Sequence, residues 1–326
     1  MVKFFLKILP LLLVLSEIYP EEKLVLHVPI QGTIDMGLPH YIERVIDNAE
    51  EVSADAIIFD IDTFGGRVDA ATQIKDAILD SKVMTVAFIN KRAISAGALI
   101  SLSCDSIFMT PGASIGAATA VDLKGEKASE KVISYMREEM ASTAEANHRS
   151  RNVASAMVDE ELEIPFFVSH SGDTLTSQDI DGFYEGKLVT LSTRLALQTG
   201  MADKEVVDFS ELLKHLGMET HDIMEESESW SEVLVRFLTN PVVAPLFMSL
   251  GMLGLFMEIK SPGFGVPGAL GLLFLALFFG SHLLVGLADI TELLLLFTGI
   301  ILLLLELLVI PGFGVAGLSG IALVLF

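Results

Sequence analysis

Ser95 stands where the apolar run KVMTVAFIN gives way to the small and apolar residues of SAGALISLSC. A serine at the mouth of a helix meets backbone N–H groups with no partner inside the helix, and these favour developing negative charge. Upstream, DTFGGRVD holds Gly65 and Gly66, whose missing side chains let backbone N–H groups point into a cleft at close range. A hydroxyl with two sets of backbone donors suits acyl transfer, in which the oxygen attacks a carbonyl and the donors hold the resulting oxyanion. Gly97, two residues on, is expected to let a substrate backbone come near. Plainer uses exist for the same residues: Ser95 as an ordinary N-cap, and Gly65-Gly66 as a simple turn.

A nucleophilic serine needs a base. His27 and His40 precede the glycine pair, His148 ends a polar helix, and His170, His215 and His221 lie in polar surroundings; none falls in the interval just after Ser95. Lysine can replace histidine where burial lowers its pKa enough to leave a neutral amine near pH 7. Downstream, the candidates are Lys124, Lys127 and Lys131. Helical periodicity places Val132, Ile133, Met136, Met140 and Ala144 on one apolar stripe with Lys131 near the opposite side, where pattern alone reads it as solvated.

These residues must be held by their elements. KLVLHVPIQG, AIIFDID, KVMTVAFIN and SIFMTPG read as strands, and GLPHYIERVIDNAEEVSA, DAATQIKDAILDS and SAGALISLSC as helices between them. Alternation of this kind, with strands that are nearly continuous apolar runs, implies an α/β sheet covered on both faces. Sites on such sheets lie at strand-to-helix turns, where both candidate segments fall.

The chain has 326 residues and a formal charge of −22, from 21 Lys and Arg against 43 Asp and Glu. That acidity excludes a nucleic-acid binder, which needs clustered cations to neutralise phosphates. A 52% hydrophobic share beside only 20% charged residues excludes disorder and points to a membrane. From Pro241 to Phe326 the only charges are Glu258, Lys260, Asp289, Glu292 and Glu306, a net −3 that leaves −19 to residues 1–240. An acidic soluble part is therefore joined to a membrane part. Lone Cys104 permits no internal disulfide and no cysteine-based metal site, and reads as a small buried side chain.

At the amino terminus, Lys3 and Lys7 precede a short apolar run, the shape of a secretory signal or, in a second reading, a retained anchor. Either places the acidic part outside the cytoplasm. Three apolar stretches, 241–259, 266–287 and 293–310, are long enough to span a bilayer. A fourth begins at Val315 and stops in mid-run at Phe326, from which we expect a longer natural protein. PGFGVPGALG at 262–271 recurs as PGFGVAGLSG at 311–320, each shortly after a glutamate, Glu258 or Glu306, so the region reads as two related hairpins. Trp230 in SESWSEVLVRFL marks an interfacial helix ahead of the first span.

DTFGGRVDAA, SAGALISLSCDSIFMTPGASIGAA, EKVISYMREEMASTAEANHRSRN and GKLVTLSTRLALQTGMAD, in this order, resemble the long-form NfeD family of membrane-bound, Clp-protease-like serine proteases. The resemblance covers essentially the whole chain. It implies a ClpP/crotonase-like α/β domain followed by an all-α transmembrane domain. The implied boundaries are a signal or anchor at 1–20, the protease domain at 23–222, an interfacial linker helix at 223–240, and a membrane domain of three to four helices at 241–326. Carried over residue by residue, it implies Ser95 as nucleophile, Lys131 as general base, and an oxyanion hole of Gly66 and Ala96 supported by Gly65. One departure is Phe64, where the family usually has proline before the glycines. The resemblance also implies hydrophobic peptide substrates, a stomatin- or flotillin-like partner and a homo-oligomer. No Gly-x-x-x-x-Gly-Lys-Ser/Thr segment exists, so we expect no ATP and no other cofactor or metal. The expected function is a membrane-anchored serine endopeptidase. The alternatives are a non-hydrolytic scaffold for the same partner and an acyl-CoA enzyme of crotonase type, which would need no Ser-Lys pair.

Overall fold

The computed structural model describes residues 23–121, 125–169, 172–180, 182–184, 186–259, 265–287, 290–308 and 314–325. The expected signal or anchor at 1–20 and the candidates Lys124 and His170 lie outside the described residues. The chain divides into two compact units, one containing Tyr41–Ser227 and the segment ending at Ile34, the other containing Asp35–His40 and Glu228–Phe326.

The first unit is the expected mixed α/β domain. In chain order it runs β1 (Leu24–Ile34), α1 (Leu38–Glu51), β2 (Ala56–Gly66), α2 (Val68–Asp80), β3 (Met84–Ile94), α3 (Ala96–Ser103), β4 (Ser106–Met109) and β5 (Ser114–Gly116). There follow α4 (Glu130–Ala146), α5 (Arg151–Ala156), β6 (Phe167–Val168), β7 (Thr174–Leu175), β8 (Thr190–Ser192), α6 (Thr193–Gln198), β9 (Lys204–Glu205), α7 (Phe209–Leu216) and β10 (Asp222–Glu225). The main sheet has the order β10-β1-β2-β3-β4-β9, all neighbours parallel. Ala56, Ile57, Ile58 and Phe59 are consecutive and all buried, so both faces of β2 are covered, which is why its sequence does not alternate. Val25, Ile58, Val86, Phe88, Phe108 and Val206 pack together in the core on one side.

β3 outlasts its neighbour. Val86–Ile89 pair with β4, while Arg92–Ile94 pair with β5, so the sheet is still hydrogen-bonded at the residue before Ser95. Register shifts occur at Gln31/Thr33 and at Ile61/Asp62, both near the site, where bulges re-aim a strand. They carry β2 past the expected glycine turn. Gly65 and Gly66 are not a turn but the last residues of the strand, opposite Thr33 and Ile34 of β1. Backbones approach so closely there that a Cβ on Gly66 would collide with the Ile34 carbonyl.

The second unit is helical: α8 (Trp230–Thr239), α9 (Ala244–Ile259), α10 (Val266–Leu284), α11 (Ile290–Leu308) and α12 (Val315–Leu325). Helix α8 opens with a capping box between Ser229 and Glu232, and Trp230 is 80% exposed. An angle of 75° separates α8 from the following helix, so this pair is either a broken span or a re-entrant turn. By length and composition α10 is the helix that passes as a membrane crossing by itself among the described residues. Helices α9 and α10 pack through glycines, with Gly254 against Gly271, the close approach small residues permit between apolar helices. The repeated motif has a structural use. Glu258 accepts N–H bonds from Gly265 and, at 2.8 Å, from Gly268, and Glu306 accepts one from Gly314, so each glutamate caps the helix that follows it.

Candidate active site

Ser95 joins β3 to α3 in a backbone conformation, φ 57° and ψ −119°, that L-residues avoid. Holding such a residue costs on the order of 1–3 kcal/mol and needs surroundings that over-determine it. Here the Ser95 N–H donates to Gly116 O at 2.9 Å, the Ala98 N–H donates to Ser95 O at 2.9 Å, and every residue of α3 is buried. The side chain makes no cap hydrogen bond. An ordinary N-cap is therefore not how Ser95 is used.

Three glycines around it have separate tasks. Gly65, at φ 104°, packs on Ser95 itself, and a Cβ there would lie 2.5 Å from Ser95 Cβ. Its N–H is taken by Thr63 Oγ1 at 2.9 Å, and that hydroxyl donates to Gly32 O at 2.5 Å. Gly65 thus shapes the site, while its amide is engaged within the strand end. Gly97 departs from expectation: it is buried against Thr63, whose Cγ2 would lie 2.5 Å from an added Cβ, so it seats α3 on β2 and is not among the residues that border the cleft.

Gly66, Ser95 and Ala96 border a cleft of about 960 Å³. As the first residue of α3, Ala96 has an N–H with no partner inside the helix. One wall is the start of α2, with Val68 and Ala71; another is the segment through Ala118 and Ala120; the third is α4, with Tyr135 and Met136. Arg67 and Asp69 stand on the rim as an ion pair, Nη2 to Oδ2 2.5 Å, and the guanidinium holds the Asp69 carboxyl below its usual range against the opposing effect of burial.

The candidate lysines are treated differently. Lys127 is paired with Glu160 at 3.1 Å and Glu161 at 3.6 Å, and the hydrogen bond to Glu160 raises its pKa, the wrong direction for a base. Lys131 lies in the first turn of α4, is exposed, and is not among the residues bordering the cleft. It precedes Tyr135 by one helical turn and so shares the face of α4 that reaches the cleft. The structure brings Gly65, Gly66, Ser95 and Ala96 together, and Lys131 is not among the residues that border their cleft. Among the described residues no histidine borders the cleft. His27 lies in β1, with Nδ1 2.6 Å from Glu225 and Nε2 3.5 Å from Asp60. Sequence reasoning missed Thr63 and Tyr135 and read Met136 only as part of the apolar stripe of α4; the spacing of Tyr135 from Lys131 carried a signal for the cleft. Among the described residues no group of three or more His, Cys, Asp or Glu side chains could hold a metal ion.

A mixed α/β domain that strains a serine beside a cleft, followed by helices with an apolar span, defines the class as a two-part chain: an α/β domain joined to a membrane-type helical region. The chain belongs to the NfeD1b family: residues 24–226 match the NfeD1b N-terminal domain and residues 242–326 the NfeD integral membrane domain. It is similar to membrane protein NfeD1b of Bacillus subtilis, with 37% identity over 94% of this chain and 66% of that one. It is also similar to the membrane-bound protease PH1510 of Pyrococcus horikoshii, with 27% identity over 76% of this chain and 56% of that one. The chain thus spans less than two thirds of the length of these relatives. Among solved structures it resembles 1510-N, a membrane-bound stomatin-specific protease, in two variants. A serine-to-alanine variant matches with 24% identity over 64% of this chain and 99% of that one, at a TM-score of 0.51. A lysine-to-alanine variant in complex with a substrate peptide matches with 24% identity over 67% and 99%, at a TM-score of 0.54. This likeness establishes the fold of the α/β domain. The membrane-domain match makes the chain a membrane protein.

Proposed function

We propose that this protein is a membrane-anchored, ATP-independent serine endopeptidase acting outside the cytoplasm on apolar peptide segments, with a stomatin- or flotillin-like protein as substrate or partner. The observation that carries the reading is the strained Ser95 beside Gly65 at the floor of an apolar-walled cleft. In the proposed reaction the neutral Lys131 amine takes the Ser95 proton as Oγ attacks the peptide carbonyl. Amides of Gly66 and Ala96 hold the oxyanion, and the ammonium returns its proton to the leaving amine as the peptide bond breaks; water then gives a proton to the same lysine as it attacks the acyl-enzyme, and the ester bond breaks as that proton passes to Ser95 Oγ. Lys131 is exposed in one copy, so the reading requires a second copy or a covering segment to withhold water from the amine.

That exposure is also what favours the second reading, a non-hydrolytic scaffold that grips its partner in the same cleft. Turnover of an apolar peptide by the full chain, by Ser95→Ala and by Lys131→Ala, with fluorophosphonate labelling alongside, separates the two. Loss of cleavage in both variants and of labelling in Ser95→Ala supports the peptidase; equal turnover by all three proteins removes it.

A further inference from the structure

We propose that Tyr135 is the specificity-determining residue of the cleft: its ring walls off the space beside Ser95 and limits the size of the peptide side chain that fits there. This rests on the reading of the cleft as a peptide site.

The apolar part of the lining is small or aliphatic, with Val68, Ala71, Ala118, Ala120 and Met136, beside the polar Arg67, Asp69 and Gln73, and Tyr135 is the one aromatic among the described residues that border the cleft. Tyr135 is 49% exposed. Its position is nevertheless fixed. Tyr135 Oη donates to Glu139 Oε1 at 3.3 Å, and the same oxygen accepts from Lys75 Nζ at 3.1 Å. Lys75 is buried on α2 and also pairs with Asp76 at 2.6 Å; burial opposes its charge, yet the two carboxylates outweigh burial and raise its pKa. A chain of hydrogen bonds therefore runs from α2, which forms one wall, to the aromatic ring on α4, which forms another. An amphipathic ring held by its polar end presents a rigid apolar face at small conformational cost. In an apolar pocket one methylene more or less changes discrimination by about 10–200-fold.

The test uses the full chain in detergent carrying Ser95→Ala, so that binding is read without turnover. Labelled peptides identical except for one central residue, Ala, Leu or Trp, are titrated by fluorescence anisotropy. With Tyr135 present, the Leu peptide binds more tightly than the Trp peptide. Tyr135→Ala and Tyr135→Leu are expected to shift the Leu/Trp affinity ratio toward Trp by about tenfold. Tyr135→Phe and Glu139→Gln keep the ranking and narrow it, since the wall remains but its tether is cut. A shift toward Trp of threefold or more in either wall-opening variant that retains its melting temperature supports the proposal. A smaller or opposite shift, or no binding of any peptide with Tyr135 present, overturns it. The peptidase reading fails separately, if the chain with Ser95 intact neither labels nor cleaves while the binding ratio still moves.

Discussion

Gly65 and Ser95 touch so closely that a Cβ on residue 65 would lie 2.5 Å from Ser95 Cβ and 3.0 Å from its Oγ. The backbone of Gly65, at φ 104°, is also one that side-chain-bearing residues rarely adopt. Gly65→Ala is therefore expected to displace the serine and to destabilise the α/β domain by about 1–3 kcal/mol. Thermal denaturation gives the second quantity and fluorophosphonate labelling the first. Unchanged labelling in a folded Gly65→Ala protein would show that the contact does not position Ser95.

The two lysines near the start of α4 should part company. Lys131→Ala is expected to lower kcat/KM on an apolar peptide by about 10²–10⁴-fold, the range of a lost general base. Lys127→Ala should leave it within about threefold, because Lys127 is held as a cation by Glu160 and Glu161 at an exposed site. A reversed order would reassign the base.

His27 supplies a pH dependence away from the cleft. The Asp60 carboxylate, and then Glu225, raise its pKa above the ordinary 6.5 against the opposing effect of burial. A raised folded-state pKa contributes stability that is complete below the unfolded value and is lost as pH climbs through the folded value. The melting temperature of the wild type should thus exceed that of His27→Gln most near pH 6, and the gap should close on the alkaline side of 6.5. A gap that widens with rising pH would contradict the assignment.

The repeated hairpins make the sharpest comparison in the membrane part. A Cβ on Gly268 would lie 2.6 Å from Glu258 Cγ, whereas one on Gly280 of the same helix would meet nothing within 4 Å. Gly268→Ala should cost about 1–3 kcal/mol by overpacking against the capping glutamate, and Gly280→Ala should be neutral or slightly stabilising through helix propensity. Melting curves of the two variants in the same detergent decide it; equal values would mean that Glu258 does not hold the turn.

Much of the architecture could be read directly. Unbroken apolar runs such as AIIF announce strands covered on both faces, and the mixed α/β domain followed by helices is what forms. Periodicity also placed Lys131 off the apolar stripe of α4, and exposed is how it stands. The glycine pair was harder. As a dipeptide it signals a turn, but pairing with Thr33 and Ile34 keeps it in strand β2, because only the partner strand reveals how near the backbones run.

What the residue order determined by itself is therefore whatever short-range sterics and local polarity dictate: which runs become strands, where Ser95 meets a helix, and which part of the chain is apolar enough for a membrane. The tertiary structure decided the rest. Gly97 fits under Thr63, Gly65 under Ser95, Glu139 between Lys75 and Tyr135, and Lys127 beside Glu160. Each of these depends on residues far apart in the chain being brought within a few ångströms, and close packing, unlike periodicity, leaves no mark in the local pattern.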